Sequence, residues 1–162
     1  MSVNDIPGAI DLIKTWMDQM GISDGVETKP TPGGVFFQFT GKDVTGIPFA
    51  IIQPEKWKRT VLVISEVTIN DDRIKSIESM RPEDRDEFLY NLQKDITFLP
   101  APFAYDPTHE ETGIPKGIQF SNEICYDGLT EDRLNNAMRD VVRSALFVIW
   151  EVREKFGNPE KD

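Results

Sequence analysis

Hydrophobic residues near the start of the chain recur at intervals of three and four, which is the spacing of a helix with one buried face. Asp5 is placed to cap this helix, Pro7 fits its first turn, and Gly21 is typical of a helix end. The pattern therefore predicts a first helix between Asp5 and Gly21, followed by a turn-rich stretch. The recurring positions are Ile6, Ala9, Ile10, Ile13, Trp16, Met17 and Met20.

Three strands are predicted after that stretch. Residues 35–39, with the sequence VFFQF, alternate between two faces, which is the periodicity of a strand. Apolar segments follow at residues 47–53 and 61–67, and the second of these is rich in β-branched residues and too short for a buried helix. Because short turns join the three strands, the sequence predicts an antiparallel meander.

The second half of the chain predicts two shorter helices and two more strands. Acidic residues open helical patterns near Asp71 and Pro82, where carboxylates complement a helix N-terminus. Strands are predicted near residues 103–106 and 118–126, on either side of a loop that contains proline and glycine.

A long helix is predicted at the end, with Thr130 as its cap and an apolar stripe that continues to Phe156. Residues 145–150 are apolar on every side of this helix. The middle of the helix therefore needs cover on two faces, and either the first helix or a second copy of the chain provides the second cover.

The predicted order of elements indicates an α+β fold. It consists of a helix, a three-stranded antiparallel meander, a helical connection, two strands and a long C-terminal helix. No repeat or Gly/Ser-rich linker divides the chain of 162 residues. We therefore expect one domain over residues 1–156 and a polar tail over residues 157–162.

The charge and composition of the chain exclude several classes of function. The chain has 28 acidic and 18 basic residues, a net charge of −10, and such a charge repels nucleic-acid backbones and anionic membranes. A single cysteine allows no internal disulfide, and no leader or membrane-spanning segment is readable. We therefore expect a cytoplasmic protein that binds neither nucleic acid nor membranes.

Residues 21–25, GISDG, match the Gly-x-Ser-x-Gly pattern of a nucleophile elbow. A nucleophile elbow lies between a strand and a following helix, whereas this segment follows a helix. We therefore interpret Gly21 as the helix end and Asp24-Gly25 as a turn.

His109 is the only histidine, so every histidine-dependent mechanism depends on this position. The pattern His-Glu-x-x-His of zinc hydrolases is incomplete because Gly113 stands where the second histidine is needed. The carboxylates of Asp106, Glu110 and Glu111 remain a candidate cation cluster, although a solvated loop is the favoured interpretation. The sequence also lacks a glycine-rich loop of the kind that binds phosphate. From these observations together we expect no metal and no cofactor.

Two further positions carry candidate chemistry. Cys125, in the last predicted strand, is a nucleophile only if a nearby base or helix N-terminus lowers its pKa, and a structural role is favoured. Trp57 lies within Lys56-Trp57-Lys58-Arg59, the connection between the second and third predicted strands. We interpret this segment as a hairpin turn with an exposed contact residue.

Four segments resemble an uncharacterised conserved archaeal family that has the type III secretion chaperone-like fold. They are FFQF at residues 36–39, PFAIIQ at 48–53, RDEFL at 85–89 and YDGLT at 126–130. The resemblance spans nearly the whole chain and depends on element order and hydrophobic pattern. It implies a protein that binds extended segments of other proteins, commonly as a dimer.

No catalytic constellation is readable, so the leading hypothesis is a non-enzymatic domain that binds a protein or peptide partner, or a second copy of itself as a homodimer. Phe36 and Trp57 are the candidate binding residues. The first alternative is a small-ligand sensor with a pocket between the meander and the long helix. The second alternative is an enzyme that uses His109 or Cys125.

Overall fold

The structure is a computed structural model, and it describes residues 5–27, 34–57, 59–106 and 113–157. His109 and residues 158–162 of the predicted tail lie outside the described residues. The elements in chain order are α1 (Ile6–Met20), β1 (Ser23–Glu27), β2 (Val35–Lys42), β3 (Pro48–Pro54), β4 (Thr60–Thr68), α2 (Asp71–Glu78), α3 (Pro82–Thr97), β5 (Phe103–Tyr105), β6 (Gly117–Cys125), a 3₁₀ turn (Tyr126–Gly128) and α4 (Glu131–Phe156).

The six strands form one antiparallel sheet in the order β1-β2-β3-β4-β6-β5. The predicted meander is confirmed as β2, β3 and β4, and the two later strands add to it because β6 pairs with the free side of β4. β1 and β5 form the two edges. The α+β class predicted from the sequence is therefore confirmed.

One face of the sheet carries the core. Alternate residues of β2, β3, β4 and β6 are buried there, and they join the buried residues of α1, α3 and α4 in a single cluster. Burial of apolar surface at this scale is the main force that holds the helices on the sheet. The buried apolar strand residues of this face are Phe37, Phe39, Phe49, Ile51, Val61, Val63, Ile118, Phe120 and Ile124.

The ends of α1 and α4 follow the signals that predicted them. The Asp5 carboxylate accepts a 2.8 Å hydrogen bond from the backbone nitrogen of Gly8, and the Thr130 hydroxyl accepts one of 3.2 Å from that of Arg133. Gly21 ends α1 in the left-handed conformation, with φ of 65°.

β1 is a correction to the sequence prediction, which placed a turn at Asp24-Gly25 and counted five strands. Ser23 pairs with Gly41 and Gly25 with Thr40, so the segment is a strand with a bulge. Aspartate and glycine are poor strand formers, and pairing of the main chain with β2 outweighs that preference. A side chain at Gly41 would collide with the carbonyl of Ile22, so this glycine permits the close approach.

The C-terminal end of α4 is joined to α2. The guanidinium of Arg73 donates hydrogen bonds of 2.7 and 2.6 Å to the carbonyl oxygens of Phe156 and Gly157. The rings of Phe88, in α3, and Phe156 pack edge to face with centroids 5.4 Å apart. These contacts hold the end of the long helix against α2 and α3.

The second face of α4 is covered less fully than the sequence led us to expect. Val141, Ala145 and Val148 are completely buried against the sheet, whereas Leu146 is half-buried and Trp150 is 59% exposed. The first helix does not close this side, and cover by a second copy of the chain stays a prediction. This side borders an open groove beside the end of α1 and the turn between β2 and β3.

Candidate functional site

The sheet face opposite the helices has an apolar centre, which we call the outer face. Its central residues are half-buried, and those of β3 and β4 neither belong to a core cluster nor pack against one. Ala50 lies opposite Ile64, and Ile52 lies opposite Leu62, so the side chains form two adjacent cross-strand pairs. A continuous apolar strip therefore crosses β3 and β4 without cover from any described element.

Acidic side chains border this strip. Leu62 lies opposite Glu123 of β6, and Glu66 lies two positions beyond Ile64 on the same side of β4. Both carboxylate residues are exposed. The outer face therefore combines an apolar centre with negative charge at its β4–β6 border.

Phe36 and Trp57 lie at the same end of this sheet. Phe36 lies in a bulge of β2 opposite the end of β3, since its neighbour Val35 pairs with Pro54. Trp57 lies in the turn that follows, and its backbone nitrogen donates to the carbonyl oxygen of Pro54 at 3.2 Å. The ring of Phe36 is half-buried and packs partly on the core, whereas Trp57 is 43% exposed.

The turn that carries Trp57 is held by a buried amide. Gln53 is fully buried, and its side-chain nitrogen donates to the carbonyl oxygens of Trp57 and Pro54. Its side-chain oxygen accepts a hydrogen bond from the hydroxyl of Tyr126. Every polar atom of the Gln53 side chain therefore has a partner, which is the condition for burying an amide without a large energetic cost.

Arg59 provides a second attachment for the same turn. It adopts a left-handed backbone conformation with φ of 64°, and its carbonyl oxygen accepts a 2.8 Å hydrogen bond from the backbone nitrogen of Tyr126. Its guanidinium forms a 2.8 Å ion pair with Asp127. The position of Trp57 is thus fixed by contacts with the segment that precedes α4.

Burial and, to a smaller extent, the nearby carboxylate of Asp5 raise the pKa of Tyr126, Arg59 opposes the shift, and the net pKa is about 12. The phenol is therefore neutral at physiological pH and remains a hydrogen-bond donor to Gln53.

Cys125 lies on the outer face at this end, and it is exposed. The Thr60 hydroxyl approaches its sulfur at 3.9 Å. Of the loop carboxylates, Asp106 is exposed, while Glu110 and Glu111, like His109, lie outside the described residues. Where the chain is described, no three His, Cys, Asp or Glu side chains come together as metal ligands. Use of His109 or Cys125 by an enzyme stays an untested hypothesis.

The sequence analysis missed Gln53, Leu62 and Ile64. The segment VLVI at residues 61–64 is apolar at both odd and even positions, and these point to opposite faces of a strand. The pattern therefore predicts two apolar faces. That signal was present, but it does not say which face the helices cover. A buried glutamine has no local signal, because its burial depends on Tyr126 from a distant segment.

Comparison with known proteins identifies the family of this chain. A family model described as an uncharacterized conserved protein, DUF2299, matches residues 9–152. The chain belongs to this family. A solved structure of a protein from Methanothermobacter thermautotrophicus, described as uncharacterized, has the same fold as this DUF2299 protein. The TM-score is 0.79 and the sequence identity is 24%, over 91% of this chain and 98% of that one.

No match was found among curated proteins. Within the described residues, no helix of this DUF2299 protein is both long and apolar enough to cross a bilayer.

Proposed function

We propose that this DUF2299 protein is a cytoplasmic, non-enzymatic domain of the type III secretion chaperone-like kind, and that its outer face binds an extended segment of another polypeptide. The observation that carries this proposal is the uncovered apolar strip of Ala50, Ile52, Leu62 and Ile64. The largest apolar patch on a monomeric protein typically covers about 300–600 Å² and often has a binding role.

The size of the face favours a polypeptide segment over a second copy. Strands lie about 4.8 Å apart and rise about 3.3 Å per residue, so five residues on each of four strands project roughly 300 Å². A standard interface buries about 800 Å² on each partner. An extended segment fits the smaller area, because every second side chain of the segment reaches the strip.

Charge defines the partner further. Glu66 and Glu123 border the strip, and the chain as a whole carries a charge of −10. Negative potential attracts basic side chains and speeds their encounter with the surface. The partner is therefore a segment with alternating apolar residues and flanking lysine or arginine.

Phe36 and Trp57 lie at the end of the strip where a bound segment would enter or leave. Because Gln53 and Arg59 hold the turn of Trp57 in place, the backbone of this turn loses little conformational freedom on binding. Tryptophan is among the residues that contribute most to binding when it becomes buried in an interface.

Selection from a displayed library of random peptides tests this proposal. We expect the parent protein to enrich peptides with alternating apolar residues and basic flanks. The double variant Leu62→Thr/Ile64→Thr should lose this enrichment and bind the selected peptides at least about tenfold more weakly. Phe98→Ser is the matched control, because Phe98 is 84% exposed but lies at the end of α3.

Two outcomes would contradict the proposal. One is that the parent enriches no common peptide pattern. The other is that the double variant binds the selected peptides as tightly as Phe98→Ser does. Circular dichroism and thermal melting of both variants separate a lost surface from a lost fold.

A further inference from the structure

A second apolar surface lies on the helical side of the sheet. A groove of about 860 Å³ runs along α4, between the end of α1 and the turn that joins β2 to β3. Its floor is formed by buried side chains, including Phe49, Met138 and Val142. Small-ligand sites typically have volumes of about 300–1,000 Å³ and mostly apolar walls, and the groove has both properties.

The rim of the groove exposes apolar side chains. Trp150 is 59% exposed, and Val44, on the opposite rim, is completely exposed. Leu146 and Phe147 are half-buried between the rim and the floor. Water therefore contacts a continuous apolar wall here, and a hydrocarbon chain that replaced this water would be stabilised by the burial.

The wall opposite α4 is held in shape by Asp43. Its side-chain oxygen accepts hydrogen bonds from the backbone nitrogens of Thr45 and Ile47, at 3.0 and 3.1 Å, and from the Thr45 hydroxyl at 2.6 Å. These donors offset the negative charge of the carboxylate that lines the groove. Asp43 thus serves the turn through this one oxygen.

Two arginines give one end of the groove a positive charge. Arg139 and Arg143 lie one helical turn apart on α4, and both are exposed. Neither makes a side-chain hydrogen bond or ion pair with the described part of the chain, although the protein carries a charge of −10. The amide of Asn135 lies one turn further along the same rim.

These features have a fixed order along α4. The polar positions come first, at residues 135, 139 and 143, and the apolar wall follows at residues 146–150. Since α-helices rise 1.5 Å per residue, Arg139 and Trp150 are separated by about 16 Å along the axis. A ligand in the groove would have its anionic head at the arginines and its hydrocarbon chain toward Trp150.

We propose that this groove is a binding site for a long-chain carboxylate, a molecule with one anionic head and one hydrocarbon tail. The arginine fork matches the two oxygens of a carboxylate, and the hydrogen bonds are charge-assisted. The site is independent of the proposed function, because it lies on the helical side of the sheet and shares no residue with the outer face.

Isothermal titration calorimetry with dodecanoate, below the concentration at which it forms micelles, tests the site. Dodecanoate should bind with one molecule per chain. Dodecanol, which has the tail without the charge, should bind at least about tenfold more weakly, and dodecyltrimethylammonium should not bind. Equal binding of the three molecules would overturn the proposal, because the arginines would then contribute nothing.

Variants assign the two parts of the site. Arg139→Gln/Arg143→Gln should weaken dodecanoate binding at least about tenfold and leave dodecanol binding unchanged. Leu146→Glu should remove binding of both. Arg153→Gln is the control, since Arg153 is exposed on the same helix outside the groove. Parent-like binding by the double arginine variant would overturn the proposal.

Two other occupants are distinguished by the same samples. The protein could be a homodimer that Leu146→Glu dissociates but that dodecanoate leaves intact. In that case the groove is an interface between copies, and the proposal is wrong. The Leu62→Thr/Ile64→Thr variant should bind dodecanoate like the parent, so failure of one proposal leaves the other intact. If peptides selected on the outer face instead compete with dodecanoate, the groove belongs to the polypeptide site and the proposal is also wrong.

Discussion

The hydroxyl of Tyr126 donates a 2.7 Å hydrogen bond to the side-chain oxygen of Gln53, although 73 positions separate the two residues. Both side chains are buried, with exposures of 1% and 0%. The amide nitrogen of Gln53 continues this network to the carbonyl oxygen of Trp57. The hydrogen bond thus connects the segment before α4 with the turn that carries Trp57.

Removing the hydroxyl with Tyr126→Phe should destabilise the protein by about 1–3 kcal/mol, because the buried oxygen of Gln53 loses its partner. Equilibrium denaturation in urea measures this change in the free energy of unfolding. Tyr90→Phe is the control, since Tyr90 is 68% exposed. A change for Tyr126→Phe no larger than that for the control would contradict the role of the network.

The same tyrosine predicts a loss of stability in alkali. Burial raises the pKa of Tyr126 from 10.0 to about 12, so the folded state holds the phenol proton more tightly than the unfolded chain. The contribution of this bound proton to the free energy of unfolding is complete below pH 10 and is lost as the pH rises toward 12.

Each pKa unit corresponds to about 1.4 kcal/mol, which limits the loss to roughly 3 kcal/mol. The difference in unfolding free energy between the parent and Tyr126→Phe, measured from pH 8 upward, isolates this residue from the other tyrosines. We expect this difference to shrink above pH 10. A difference independent of pH would mean that the phenol does not titrate as the burial requires.

Local signals explain the part of the fold that the sequence predicted. The caps at Asp5 and Thr130 and the helix end at Gly21 use side chains or glycine within a few residues of the boundary, so a short window of sequence contains them. β1 has no such signal. Its residues include aspartate and glycine, and it becomes a strand only because β2 lies beside it with Gly41 at the closest point.

The candidate site was predicted in part for the same reason. Phe36 and Trp57 stand out as aromatic residues beside turns, but their position at one end of the sheet follows from the pairing of β2 with β3. The continuous apolar run in β4 indicates two apolar faces, but the sequence analysis did not use this signal. Which of them remains open depends on where α1, α3 and α4 pack, and those contacts join residues far apart in the chain.

The buried face of α4 predicts the effect of a charge in the core. Val141 and Val148 are both completely buried. Val141→Asp or Val148→Asp should unfold the protein, because an unpaired buried charge costs several kcal/mol against a total stability of about 5–15 kcal/mol. Asn136→Asp is the control on an exposed position of the same helix. A thermal melt of either valine variant that matched the control would mean that the buried face of α4 is misassigned.

His109 is predicted to be dispensable. This expectation comes from the sequence, in which the histidine has no second histidine at the spacing that zinc requires and stands in an acidic loop. His109→Ala should change the free energy of unfolding by less than roughly 0.5 kcal/mol, as surface substitutions usually do. It should also leave the binding of selected peptides and of dodecanoate unchanged. A large loss in any of the three measurements would instead favour the enzyme hypothesis.

The homodimer stays a prediction, and its physical basis is now the groove beside α4. Leu146 and Trp150 form the apolar surplus that the sequence indicated, and a second copy could cover them only where a long-chain carboxylate would also bind. A stable dimer buries about 1,200–2,000 Å² in total, so its interface would extend beyond the groove to neighbouring surface.

Light scattering coupled to size exclusion, over a dilution series at micromolar concentration, measures the particle mass. We expect about twice the chain mass of 18.5 kDa without ligand, and the mass of one chain in saturating dodecanoate, because the two occupants compete. Trp150→Ser should shift the equilibrium toward the single chain even without ligand. A mass of 18.5 kDa at every dilution of the parent would show that water, rather than a second copy, covers the exposed face of α4 when no ligand is bound.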